Sequence, residues 1–153
     1  MNQQKAFTLV ELITVIVVVS ILAFVAAPRF IGRDAFDARG AYGTLLSALH
    51  YAQKTAIAQR TPIYTNINTS TRVICLGYTN SCSSPVIDPS TQAAYSKTLP
   101  NNVTLTASVT PLGFDGLGRP TPNATATYTL QNTVDASDPI RTITVEAETG
   151  YVH

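Results

Sequence analysis

Twenty-one consecutive residues, Phe7 to Ala27, read FTLVELITVIVVVSILAFVAA and contain one formal charge, Glu11. Wound as a helix at about 1.5 Å per residue they reach about 31 Å, the thickness of a hydrocarbon core. The stretch therefore predicts a spanning helix. A removable secretory signal is the competing reading, since Lys5 and the run AFVAA superficially fit one. Such signals carry an apolar core of about 7 to 15 residues. This run is longer, and its one small-residue cut would fall just before Pro28. Glu11 lies only about 6 Å along the axis from Phe7, near one membrane boundary. A carboxylate at the bilayer centre costs roughly 2.5 to 3.5 kcal/mol, whereas one near the boundary still reaches water. In a water-free helix bundle it needs a cation close by. No Lys or Arg occurs between Phe7 and Ala27, so the partner is expected from another chain or from a new amino terminus.

The 125 residues after Pro28 are enough for one small globular domain. Hydrophobic residues make up 45% of the chain and charged ones 12%; the apolar excess sits in the first 28 positions, and the remainder is rich in Thr, Ser, Asn, Ala and Pro. From Arg29 onward nine Lys or Arg face eight Asp or Glu with no basic run, so no polyanionic partner is implied. Cys75 and Cys82 flank LGYTNS, which holds Gly77 and the turn-prone Asn80 and Ser81. The spacing suits a disulfide across a tight loop, with two free thiols as the alternative, and a disulfide requires an oxidising compartment. A metal site is disfavoured because His50 and His153 are distant and no ligand spacing supports them. Charge counting leaves orientation open, with Lys5 on one side of the span and Arg29, Arg33 and Arg39 on the other. The cysteines place the C-terminal domain outside the cytoplasm.

Lys5 to Glu11, KAFTLVE, resembles the cleavage motif of type IV prepilins and type II secretion pseudopilins, a short leader followed by Phe-Thr-Leu-Val-Glu opening a long apolar helix. The resemblance implies that a prepilin peptidase cuts between Ala6 and Phe7 and N-methylates the new Phe7 amine. It implies that Glu11 pairs with the Phe7 ammonium of a neighbouring subunit during assembly. Ala6 stands where the family normally has glycine, and slower processing is the expected consequence.

Pro28 lacks a backbone N–H and its ring crowds the carbonyl of Phe24, so a helix through it is expected to kink or loosen. The resemblance adds that Ser20 to Ala27 unwinds in part within a filament. Beyond it, Tyr42, Leu45, Leu46, Leu49, Ala52, Ala56 and Ile57 recur at three- and four-residue steps, predicting an amphipathic helix that stops at Thr61-Pro62. Gly32, Gly40 and Gly43 each weaken such a helix by about 1 kcal/mol, which reads either as a pliable neck or as close helix packing. After Pro62 the segments IYTNI, TRVICLGY, NVTLTASV, TATYTL and RTITVEA are rich in β-branched and aromatic residues and predict strands. Residues 85–100 read as a surface loop. The predicted fold class is α+β, a long N-terminal helix packed on an antiparallel sheet.

The segment GFDGLGRPTP, Gly113 to Pro122, lacks the lysine and the strand-then-helix setting of a phosphate loop and reads as a tight turn. With Arg141 to Val152 it resembles the C-terminal signature of FimT/GspH-like minor pilins, among which those of mannose-sensitive haemagglutinin type pili are most similar. No catalytic constellation emerges. Asp34 and Asp37 read as solvated and Asp135 and Asp138 as turn residues. Calcium binding by Asp115, Asp135 and Asp138 is disfavoured because no alternating oxygen-ligand run is present. The Asn-x-Thr/Ser matches at Asn68, Asn102 and Asn123 predict little. DNA binding needs clustered cations near the C-terminal end, but Arg119 and Arg141 lie among Asp135, Asp138, Glu146 and Glu148, so DNA is an unlikely partner. The expectation is a minor pilin of a type IV pilus, with a type II secretion pseudopilin as the rival. It would have a leader at 1–6, a transmembrane and filament-core helix at 7–28, and a periplasmic domain at 29–153, with no cofactor and no metal. Its expected partners are prepilin peptidase, other major and minor pilins, the inner-membrane assembly platform and the lipid bilayer.

Overall fold

The computed structural model describes the backbone of residues 8–30 and 33–153, with side chains at 8–25 and 36–153. Between Arg33 and Asp34 the chain divides into a helical unit and a larger α+β unit.

Helix α1 (Leu9–Phe30) opens on Thr8, whose Oγ1 accepts the Glu11 N–H at 3.2 Å. Thr at the cap with Glu three residues on is the capping-box pattern, and an acid in the first turn also suits the helix dipole. The backbone remains helical through Pro28, so the proline does not end α1. Leu9 to Val25 are exposed on every side, from 47% at Ile13 to 82% at Phe24. A helix apolar all round is one that is buried by something else, a bilayer or other helices.

The second unit is organised around α2 (Arg33–Gln59). Its buried stripe is Ala38, Ala41, Leu45, Ala48, Leu49, Ala52 and Ala56, mostly alanine, which lets a sheet approach the helix closely. Ile57, expected on this face, is 47% exposed, because one residue beyond Ala56 turns it about 100° around the axis. Neither Gly40 nor Gly43 has another atom within 4 Å of where a Cβ would stand, so close packing within the described chain does not account for them. Gly32 lies outside the described residues.

Eight antiparallel strands follow: β1 (Ile63–Asn68), β2 (Val73–Gly77), β3 (Ser96–Thr98), β4 (Val103–Ala107), β5 (Leu112–Phe114), β6 (Pro120–Thr121), β7 (Ala126–Asn132) and β8 (Arg141–Val145). They form one sheet in the order β3-β2-β1-β5-β6 and another in the order β4-β7-β8. Alternation along β1 buries Ile63, Thr65 and Ile67 and turns Tyr64 and Asn66 to the other face. Phe114, Ile74, Leu76, Tyr128, Leu130 and Ile143 complete the core. The buried Tyr128 hydroxyl donates to the Val109 carbonyl at 3.1 Å, and burial pushes its pKa up.

Residues 85–100 are not a plain surface loop. Val86, Tyr95 and Leu99 are buried, Ser96 to Thr98 form β3, and Asp88 pairs with Lys97 at 2.5 Å. The segment 113–122 is the tight turn expected: Asp115 accepts the backbone N–H of Leu117 and of Arg119 and pairs with the Arg119 guanidinium.

Candidate functional site

The residues that carry the functional expectation lie along α1. Ala6 and Phe7 are outside the described residues. Of the polar side chains within the apolar stretch, Thr14 and Ser20 are satisfied by the helix itself, Thr14 Oγ1 donating to Val10 O at 2.9 Å and Ser20 Oγ to Ile16 O at 2.6 Å. Such back-bonding spends the hydroxyl donors of both residues inside the helix. The Glu11 carboxylate has no hydrogen bond and no ion pair among the described residues, while its backbone N–H is capped by Thr8.

The acids of the α+β unit behave otherwise. Asp37 accepts from Asn102 Nδ2 at 2.9 Å, so it fastens α2 to the start of β4 and is not merely solvated. Asp135 caps Ser137, Asp138 is paired with Arg141 at 2.7 Å, Glu148 accepts from Asn123 at 2.6 Å, and Glu146 contacts His153 at 3.0 Å. Hydrogen bonds from Lys97 and then Ser90 hold Asp88 at a pKa of about 2. Those from Arg141 likewise lower Asp138. Every described acid from Asp37 onward has a partner within the chain. The side chain of Asp34 is not among those described.

This pairing also bears on the alternatives. Arg119 and Arg141 are engaged by Asp115 and Asp138 at 2.9 and 2.7 Å, so neither of these two cations stands uncompensated for a phosphate backbone. No group of three or more metal-ligating side chains occurs among the described residues, and Asp115 and Asp138 are spent on arginines. Cys75 and Cys82 are joined as a disulfide with Cα atoms 6.1 Å apart. It closes the loop after β2.

The capping role of Thr8 and the self-satisfied hydroxyls of Thr14 and Ser20 were missed in the sequence, although Thr-x-x-Glu before an apolar run is itself the signal for the first. Among the residues whose side chains are described, no helix alone meets the length of an apolar span. The described part, Leu9 to Val25, falls just short, and the whole of α1 is 22 residues.

A family model described as the prokaryotic N-terminal methylation motif matches residues 1–27. A second, described as type II transport protein GspH, matches residues 41–149. No curated protein matches the chain. Among solved structures the chain is similar to the type IV minor pilin FimU of Pseudomonas aeruginosa at a TM-score of 0.58 and 18% identity, over 75% of this chain and 85% of that one. It is similar to the minor pseudopilin EpsH from the type 2 secretion system of Vibrio cholerae at a TM-score of 0.58 and 14% identity, over 76% and 94% of the two chains. At these identities the likeness is one of fold: a long N-terminal helix on antiparallel sheets.

Proposed function

We propose, from the premise that this chain belongs to the type II transport protein GspH family and carries the N-terminal methylation motif, that it is a minor pilin helping to initiate a type IV pilus. Membership makes it a minor pilin or pseudopilin, a filament subunit and not an enzyme. The finer reading is a subunit of a mannose-sensitive haemagglutinin type pilus, held in the bacterial inner membrane by residues 7–28. Its domain at 29–153 stands in the periplasm until incorporation at or near the pilus tip. Residues 1–6 are the leader, removed by prepilin peptidase at Ala6-Phe7, after which Phe7 is N-methylated. Pro28 loosens the helix where it leaves the membrane.

One observation supports docking through Glu11 above the rest. The described acids of the folded domain all find partners inside the chain, while Glu11 stands unpaired in an apolar helix whose other polar groups are satisfied. In a bundle without water that carboxylate requires a cation from outside, and the Phe7 ammonium of a neighbouring subunit supplies one. A pseudopilin of type II secretion is the second reading, supported by the equal likeness to EpsH.

Mass spectrometry of the mature protein is expected to show a chain beginning at methylated Phe7. An intact Met1 terminus in cells with active peptidase would overturn the reading. Immunogold labelling of sheared pili separates the two machineries: label near pilus ends supports the pilus, and none there, with secretion lost on deletion, supports the pseudopilus.

A further inference from the structure

Three large apolar side chains stand exposed at one end of the α+β unit: Phe36 at 72% in the first turn of α2, and Val134 at 66% and Ile140 at 57% at the two ends of the loop between β7 and β8. We propose that this patch is a lipid-contact surface, by which the folded unit rests on the headgroup layer of the bilayer. The proposal rests on the reading of residues 7–28 as a membrane anchor and adds to it a second contact, made by the domain itself.

Hydrogen bonds bring the three side chains to one place. Asn102 Nδ2 donates to Asp37, the residue after Phe36, at 2.9 Å, and the Asn102 carbonyl accepts the N–H of Thr133, the residue before Val134, also at 2.9 Å. At the far end of the loop Asp138 is held below the usual carboxylate range chiefly by hydrogen bonds from Arg141 and in smaller part by the charge of Arg39. Arg39, one turn after Phe36, therefore lies beside the stretch that ends at Ile140.

The loop is firmly tied. Asn132 Oδ1 accepts the N–H of Val134 at 2.8 Å and of Asp135 at 3.1 Å, Asp135 Oδ1 accepts the N–H and the hydroxyl of Ser137 at 2.9 and 2.6 Å, and Arg141 grips both oxygens of Asp138 at 2.7 and 2.8 Å. A segment fixed in this way holds Val134 and Ile140 in water at a cost that a covering surface removes.

Two observations choose a bilayer over another protein chain as that surface. A protein interface carries about one hydrogen bond per 100 to 200 Å², and the loop has already spent its carboxylates, its guanidinium and the Asn132 amide oxygen within itself. Lipid asks for none. The second observation is place: the unit begins at Asp34, two residues before Phe36, so the patch lies at the end where the chain enters from the apolar helix, whatever the angle between the two helices. Leu117, also exposed, sits in the turn that abuts Ile57, about 30 Å further along α2. The charged residues around the patch are Asp37, Arg39, Asp135, Asp138 and Arg141, three acids to two bases, so attraction to anionic lipid does not hold it there. The contact is burial of apolar side chains at the boundary of headgroups and acyl chains.

The test uses the full-length ¹⁵N-labelled chain, one copy per phosphatidylcholine nanodisc, with a nitroxide on the lipid headgroup in one sample and on the acyl chain in another. Expected from the headgroup label is paramagnetic broadening of the Phe36, Val134 and Ile140 amides several-fold greater than that of Leu117. In a Val134→Ser, Ile140→Ser double variant the loop amides should fall to the Leu117 level. Both side chains are exposed, so the variant should melt with the parent, and loss of contact is not loss of fold. The acyl-chain label reads the anchor separately: a broadened α1 with an unbroadened patch overturns this proposal and leaves the anchor standing, whereas an unbroadened α1 overturns both. Broadening that survives the double substitution, or a patch shielded from a water-soluble nitroxide only when two chains share a disc, which assigns it to a neighbouring subunit, would also overturn the proposal.

Discussion

Gly150 is the position where a single added methyl group should do most damage. It lies in the turn after β8 at φ +64°, and a Cβ built there would stand 2.0 Å from the Gly118 carbonyl oxygen and 2.9 Å from Gln53 Nε2. Gln53, near the end of α2, donates to Gly118 O at 2.9 Å and to Gly150 O at 2.8 Å, fastening two turns to the helix with one amide. An alanine at Gly150 must hold a left-handed conformation, at roughly 1 to 2 kcal/mol. It must also push the turns apart until both Gln53 bonds are lost, at about 1 kcal/mol each. The sum, about 3 to 4 kcal/mol, is a large part of the roughly 5 to 15 kcal/mol that holds a domain. It should lower the midpoint of thermal unfolding by about 12 to 16 °C. Circular dichroism melts of the full chain in detergent would measure it. Gln53→Leu, which loses the bonds without the strain, should fall about halfway. Gly40→Ala provides the opposite sign, because nothing stands within 4 Å of its Cβ position and alanine is better by up to about 1 kcal/mol in a helix. A Gly150→Ala protein melting within 2 °C of the parent would refute the geometry on which this rests.

Asp88 predicts a pH dependence. Its carboxyl is lowered from 3.8 to about 2, so the stability it contributes is complete above about pH 4 and is lost as pH falls toward 2. Asp88→Asn should narrow that acid loss, seen as a smaller difference between melts at pH 5 and pH 2.5 than in the parent. Replacing Cys75 and Cys82 together by serine should cost about 2 kcal/mol on the chain-entropy account, measured by urea unfolding with and without reductant. Thr65→Val should stabilise by about 1 kcal/mol, since the buried Thr65 hydroxyl has no partner and valine has nearly its shape.

What the sequence revealed of this fold was its periodic part. The three-and-four spacing from Tyr42 to Ala56 marks α2, and the β-branched runs mark β1, β2, β4, β7 and β8. Residues 85–100 hid their order because Val86, Tyr95 and Leu99 enter the core singly, at no repeating interval, tied by the Asp88–Lys97 pair rather than by a long ladder. The strand order was also hidden: β1 is flanked by β2 and by β5, and only the tertiary fold decides that a three-residue segment after Pro111 is its second neighbour. Asp37 shows the same limit, since its partner Asn102 is distant in sequence.

Glu11 has two physical accounts, and a single substitution separates them. As the third residue of a helix capped by Thr8 it can act through the capping box and the helix dipole, a local effect of about 0.3 to 1 kcal/mol. As a carboxylate without a partner it can act by demanding a cation from a neighbouring subunit, where removing one member of a desolvated pair costs roughly 3 to 5 kcal/mol. Glutamine distinguishes them because it serves the cap as glutamate does but carries no charge. On the pairing account Glu11→Gln and Glu11→Ala fail alike: both insert in the membrane and both lose incorporation into filaments by roughly a hundredfold or more. On the capping account Glu11→Gln assembles as the parent does and only Glu11→Ala is weakened. Unfolding of the α+β unit should be indifferent to either change, since its described acids are satisfied without α1. Quantitative immunoblots of sheared filaments against membrane fractions read the difference, and full incorporation of the glutamine variant would refute pairing through Glu11.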